Sequence, residues 1–327
     1  MAMKILSALL LSLQCYYQQG VVAFAPNAAF LPGTRHSYSS KTHLMSSLPS
    51  QSSGNNVVLR PSSDKSGIFD TFQIGGCHVH RYKSTTPFES SYVMWYHGRS
   101  VDQEDESLPP LSTGRVGRAT SKNGLVFEKD TIGSSSEDIT GVSLGLNKES
   151  WWAFDTAHLG LGSVLLPMTT PAVMTDGGIY LMYYFGGNFE ETSISDYVKG
   201  DFPDMEAKIK GMKMRIGVAV SQDGETWGRV EGDDPSGACM VPYDKSDPEA
   251  SATYSGMKDE YTGKVLAEIL EEELYVGWPE VVVKIDEQKA DNSGFFMYYS
   301  TMTKETKEKC LAVAISSDGR SEEHTSE

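Results

Sequence analysis

The residues of this chain best suited to chemistry are carboxylic acids set at the edges of apolar runs. Asp70 and Asp155 each occupy the middle of an identical Phe-Asp-Thr triplet, Phe69 to Thr71 and Phe154 to Thr156. Glu280 lies inside an apolar run, between Pro279 and Val281. A carboxyl there is costly unless it faces a polar space or has a partner, and loss of water raises its pKa toward the range useful to a general acid. The competing reading of Glu280 is an ion pair with Arg or Lys. For the two Asp residues it is a turn, in which the carboxylate accepts backbone N–H groups.

Other side chains extend this set. His78 and His80 are two residues apart, hence on one face of a strand, which is permitted for two metal ligands; no third ligand is evident, so hydrogen bonding is preferred and no metal or cofactor is expected. His158 follows Asp155 by three positions and could orient it or act as an ordinary loop residue. Trp151, Trp152 and Trp278 could stack on a sugar ring or pack between sheets, and Trp278, beside Glu280, is the better stacking candidate. Arg99 could pair with a carboxylate. Arg115 and Arg215 hold equivalent places in two repeats, which favours a structural role.

These residues are carried by a unit written three times. Met94-Trp95-Tyr96 is followed by Ala119, Ser121, Asn123 and Gly124; Met182-Tyr183-Tyr184 by Ala219, Ser221, Asp223 and Gly224; Met297-Tyr298-Tyr299 by Ala314, Ser316, Asp318 and Gly319. The opening strands align as Ile74 to Val79, Leu159 to Val164 and Val276 to Val281, and the triplet offset in the third copy falls on Glu271-Glu272-Glu273, with an acid at the middle position. Second strands are read at Ser91 to His97, Ile179 to Phe185 and Gly294 to Tyr299, and third strands at Arg115 to Thr120, Arg215 to Val220 and Cys310 to Ile315. Asn-Gly and Asp-Gly suit a two-residue hairpin, after which Phe127 and Trp227 begin the fourth strands. Repeats of several strands with two apolar faces imply an all-β propeller, because only neighbouring sheets can cover such faces. Two insertions, Gly186 to Lys213 and Asp233 to Glu272, interrupt the scheme, and Lys258 to Leu274 carries the spacing of one short helix.

Charge and composition bound the rest. The chain has 44 acidic against 28 basic residues and a formal net charge of −16, which opposes nucleic acid and anionic lipid and suits neutral or cationic ligands. The four cysteines include no CxxC pair, which argues against a disulfide scaffold or a Cys-built zinc site. Residues 1–63 contain no Asp or Glu. Residues 1–23 read as a signal peptide and residues 24–63 as a disordered plastid transit peptide, with no membrane anchor remaining after cleavage. The junction Val22-Ala23-Phe24-Ala25-Pro26 resembles the bipartite presequence of algae with complex plastids. An ordinary secretory leader followed by a Ser-rich linker is the alternative. Residues 320–327 resemble a translated sequencing adapter, so the propeller region is read as residues 64–319, with the natural chain expected to continue.

The repeat, with its acid before an opening strand, its Met-Tyr-Tyr second strand and its AxSxDGxxW close at Ala219 to Trp227, resembles the five-bladed β-propeller glycosidases of the arabinanase, levansucrase and invertase group. The resemblance covers Ser66 to Gly319 and implies an incomplete propeller of about three blades. It also implies three catalytic carboxylates: Asp70 as nucleophile or base, Asp155 as transition-state stabiliser and Glu280 as acid. Such a set protonates a glycosidic oxygen while an anion or activated water serves the opposite face. On this reading His78, His158, Trp278 and Arg99 bind the substrate, a carbohydrate or glycoside that is hydrolysed or whose glycosyl group is transferred. The sequence departs from the invertase-like pattern, since Thr and not Pro follows each Asp and no Cys follows Glu280. The other reading is therefore a non-catalytic propeller that binds carbohydrate or protein.

Overall fold

The computed structural model describes residues 57–63, 67–83, 90–100, 114–131, 139–166, 179–199, 207–258, 262–284, 294–316 and 319. Three antiparallel sheets follow one another along the chain. The first runs β1 (Gln73–Lys83), β2 (Ser90–Arg99), β3 (Arg115–Ser121) and β4 (Glu128–Lys129), with β5 (Val142–Leu144) also pairing with β3. In the second, β6 (His158–Leu165) and β7 (Tyr180–Gly187) are separated from the rest by an insertion bearing a small hairpin, β8 (Glu191–Ser193) with β9 (Lys208–Lys210). It is completed by β10 (Arg215–Ser221) and β11 (Gly228–Val230). The third contains β12 (Glu273–Lys284), β13 (Gly294–Thr303) and β14 (Lys309–Ser316). The fold is all-β and propeller-like, with inner strands β1 and β12 both packed against β6.

The strands form where apolar residues recur on both faces, and the second sheet shows why. β7 is Tyr-Leu-Met-Tyr-Tyr-Phe-Gly-Gly: alternate side chains Met182 and Tyr184 enter the core shared with Trp95 and Val116 of the first sheet. Tyr183 packs with Val281 and Phe295 of the third sheet, and Phe185 with Val276 and Tyr299. A strand covered on both sides has no polar face to present, hence its near absence of charge. Trp95, Tyr184 and Phe185 are almost fully buried, each stabilising the junctions by about 2–3 kcal/mol.

All three inner strands slip register at corresponding places, between Gly75 and Cys77, Leu161 and Ser163, and Gly277 and Glu280. Bulges bend a strand and re-aim the side chain that follows. In the first sheet the slip needs Gly76, which has φ +37° and whose position leaves 2.6 Å between an added Cβ and Cε1 of His97. In the third it holds Trp278 at φ 51°, in the left-handed region that a bulky residue seldom enters.

The Asx-Gly turns differ from the two-residue hairpin. Six residues, 122–127, separate β3 from β4, and only the glycine is left-handed, with φ 74° at Gly124 and 73° at Gly224. Ser121 Oγ accepts the Gly124 N–H at 2.9 Å, and Asn123 Oδ1 accepts those of Leu125 and Val126. Ser221 and Asp223 repeat the pattern. The side-chain oxygens therefore build a wider loop than the dipeptide alone suggests. Phe127 and Trp227 end these loops as buried anchors just ahead of β4 and β11.

The second insertion holds two helices, α1 (Pro248–Ser255) and α2 (Leu266–Ile269). The helical spacing at Lys258 to Leu274 condenses to the single turn of α2. α1, which that spacing does not signal, opens on Pro248, a residue suited to a first helical position. Leu59 packs on the core of Phe69, Met94 and Tyr96, so the first sheet engages the chain ahead of Asp64. Of the leader expected over residues 1–63, residues 1–56 lie outside the described residues, as does the tail from residue 320. Among the described residues no helix is long and apolar enough to cross a membrane.

Candidate functional site

The Phe-Asp-Thr acids are placed by a three-part station repeated in two sheets. Asp70 is fully buried; its Oδ2 accepts the Tyr96 hydroxyl at 3.0 Å and pairs with Lys129 Nζ. Asp155 is 1% exposed; its Oδ2 accepts the Tyr184 hydroxyl at 3.0 Å and Arg229 Nε at 2.7 Å. Each station thus joins the lead-in to the inner strand, the second strand and the outermost strand of one sheet. In the third sheet Tyr299 donates to Glu273 at 3.1 Å, and Glu273 also accepts the backbone N–H of Tyr243. The acid equivalent to Asp70 and Asp155 is therefore Glu273, one residue beyond the middle position of its triplet; Glu272 pairs with Lys304 instead.

Each station also closes a loop. The Ser62 N–H donates to the Asp70 carbonyl, and the Asn147 N–H to the Asp155 carbonyl at 3.1 Å. Between Asn147 and Asp155 the chain turns tightly, with Asn147 Oδ1 accepting the N–H groups of Glu149 and Ser150. Trp151 and Trp152 stand at the tip, 85% and 52% exposed, with ring centroids 5.9 Å apart and planes at 89°. Asp155, through Arg229 and Tyr184, holds the base of that loop to the sheet.

Glu280 has a different setting. Val281 and Val283 pack toward the second sheet, and the Val281 N–H donates to Ser163 Oγ at 3.1 Å. Strand alternation turns Glu280 and Val282 to the opposite face, where Glu280 lies beside Tyr298 in register. Glu280 is exposed, and partial burial raises its carboxyl pKa. Among the described residues no hydrogen bond or ion pair joins any two of Asp70, Asp155 and Glu280, and they share no partner. Trp278 packs its ring on Phe185, with centroids 4.6 Å apart, and approaches Tyr275 at 6.2 Å. Exposure at the tryptophans is thus reversed from the order the sequence favours: Trp151 and Trp152 are open and Trp278 is packed.

The histidines lie between sheets. His78 and His80 meet edge to face at 4.9 Å, and His80 packs on Trp95 at 5.2 Å. Burial and the neighbouring His78 push the His80 pKa down to about 4. His158 Nε2–H donates to the Gly211 carbonyl at 2.7 Å, tying the insertion to β6, and burial lowers its pKa. His97, which the sequence reading did not single out, accepts the Leu161 N–H on Nδ1 at 3.2 Å, and burial takes its pKa to about 4. An acceptor nitrogen requires neutral imidazole, so the geometry and the shift agree. Arg99 is buried with its guanidinium 4.8 Å from the Phe72 ring centre. Among the described residues no three metal-ligating side chains cluster.

Lys129 and Arg229 were also not singled out from the sequence. A signal for them exists: Phe127-Glu128-Lys129 and Trp227-Gly228-Arg229 share an aromatic-x-basic spacing, which places the cation on the same strand face in both sheets.

No protein-family model matches the chain, and no curated protein matches it. Two solved structures are similar to it. A complex of BT0996 with RGII is 16% identical with a TM-score of 0.38, over 80% of this chain and 59% of that one. A putative glycosidase from Bacteroides thetaiotaomicron is 13% identical with a TM-score of 0.39, over 83% of this chain and 58% of that one. The chain spans under two thirds of the length of either. At these TM-scores neither likeness carries the reading of the site, which rests on this chain's own geometry.

Proposed function

We propose that this propeller-like domain recognises carbohydrate, with the loop from Asn147 to Asp155 as its contact element. The observation that carries the reading is the exposed Trp151–Trp152 pair on a loop closed at its base and pinned by a buried ion pair. Exposed indoles usually cost solubility; held rigidly, they offer flat apolar faces for the C–H faces of a sugar ring at little cost in ordering. The net charge of −16 favours neutral sugars over uronates. The acid-free leader supports a plastid address, reached through the secretory pathway.

The glycosidase reading retains one supporting observation. Glu280 is solvent-facing and its carboxyl pKa is raised, as a general acid requires. Asp70 and Asp155, the opposing anions of this reading, each hold a tyrosine and a cation on Oδ2, with Oδ1 making no hydrogen bond among the described residues.

The test is tryptophan emission during titration with neutral pentose and hexose oligosaccharides. A saturable shift in emission is expected with at least one of them. Unchanged emission with the whole set at millimolar concentration would overturn the proposal.

A further inference from the structure

His78 and His80 lie on the face of β1 turned to the second sheet. In register His78 stands opposite Trp95 on β2, and Trp95 belongs to the core shared with Met182 and Tyr184 of β7. The His80 ring packs on that indole at 5.2 Å and approaches Tyr82 at 6.5 Å. The corresponding positions on β6 are Ser163 and Leu165, which serve the junction of the second sheet with the third. There Ser163 Oγ accepts the Val281 N–H and Leu165 packs with Tyr183 and Val281. A junction of this kind is thus made with one hydroxyl and one apolar side chain, so two imidazoles are more than the packing requires.

His80 is 8% exposed and hydrogen-bonds the Val164 carbonyl of β6. Its Nδ1 is buried with no hydrogen-bond partner, so Nε2–H makes that bond and Nδ1 holds a bare lone pair. A buried acceptor without a donor is costly and calls for a partner. Metal-ligating imidazoles are fixed in this same way, the second nitrogen donating to a backbone carbonyl while the first faces the ion. His78, half-buried, makes no hydrogen bond among the described residues, so its ring can turn a lone pair toward Nδ1 of His80. Two imidazoles bound side by side to one ion, with metal–nitrogen bonds of about 2.0–2.1 Å, have ring centres roughly 4.5–5 Å apart. The two rings here are 4.9 Å apart.

We propose that His78 and His80 chelate a divalent transition-metal ion, copper(II) by preference, at the junction of the first and second sheets. Cys77 points to the other face of β1, and among the described residues no third His, Cys, Asp or Glu joins the pair. Water therefore completes the coordination, and a set of imidazole nitrogen and water oxygen suits the tetragonal geometry of copper(II), which also binds such donors more tightly than zinc(II). Because His80 is tied to Val164, the bound ion braces β1 against β6.

Calorimetric titration of the whole chain with copper(II) sulfate, and electron paramagnetic resonance at one equivalent, test this. Wild type is expected to take one equivalent with Kd below about 50 μM, to show nitrogen splitting from two imidazoles, and to melt at a higher temperature with the ion than without it. His78→Gln, at the half-buried position, is expected to weaken the site by at least about tenfold, leave one nitrogen in the splitting and remove the melting shift. His80→Gln is expected to do the same, and urea unfolding curves matching metal-free wild type show that the variants are folded. Undiminished copper(II) affinity in folded His78→Gln overturns the proposal and assigns the ion to histidines elsewhere in the chain. Binding to wild type weaker than about 50 μM overturns it as well.

Discussion

Asp155 just precedes the first strand of the second sheet and Glu280 lies on the first strand of the third, and both look from the sequence like acids available for chemistry. Asp155 is sealed, with Arg229 and Tyr184 on one oxygen. Glu280 faces solvent on an open sheet face. A buried carboxylate is tolerated only when paired, and pairing converts it into a clamp between strands; an acid at a solvent-facing position carries no such duty. The repeated acids of this chain therefore organise its sheets, while its most exposed aromatic pair lies on a loop that one of them secures.

Removing the clamp should have the largest effect. Asp155→Ala leaves the part-buried Arg229 without its carboxylate, holding only the Gly145 carbonyl, and is expected to cost about 3 kcal/mol in urea unfolding, with Asp70→Ala similar. Losses below about 1 kcal/mol would mean that the stations are not clamps. The histidines come next. His80 and His97 have folded-state pKa values near 4, below the ordinary 6.5, so protonation favours the unfolded chain. Their contribution is present above pH 6.5, is lost as pH falls from 6.5 to about 4, and changes no further below that. Replacing both by Gln should flatten the fall in stability over that window; an unaltered profile would sink the assignment. Tyr184→Phe removes one hydrogen bond and should cost about 1 kcal/mol. Glu280→Gln should be smallest. A raised carboxyl pKa in the folded state means that stability is lost as pH rises through it, so the neutral amide leaves stability at pH 7 unchanged or higher, within about 0.5 kcal/mol.

Much of this architecture was legible because a repeat states its strands several times. The second and third strands fall where Met-aromatic-Tyr and the Ala-x-Ser runs place them, and the third sheet comprises β12, β13 and β14 among the described residues. The roles of the acids were harder to read. An acid ahead of a strand has the same local sequence whether it faces a central space or a tyrosine of its own sheet, and only the partners decide. Those partners, Lys129 and Arg229, lie 59 and 74 residues along the chain from their acids. The tryptophans were hidden by a similar ambiguity. Trp151 and Trp278 are both large and both near an opening strand, but the first is lifted by the Asn147 loop and the second is turned by a bulge onto Phe185. His97 gave no local signal because its value lies in a bond to Leu161 of the next sheet.

Carbohydrate recognition by this domain is proposed to rest on the exposed rings of Trp151 and Trp152. The direct test is calorimetric affinity of wild type and the Trp151→Ala/Trp152→Ala variant for one oligosaccharide that wild type binds, with melting temperatures recorded alongside. The prediction is a loss of affinity of at least about tenfold with melting unchanged. Equal affinity in the two proteins would contradict it.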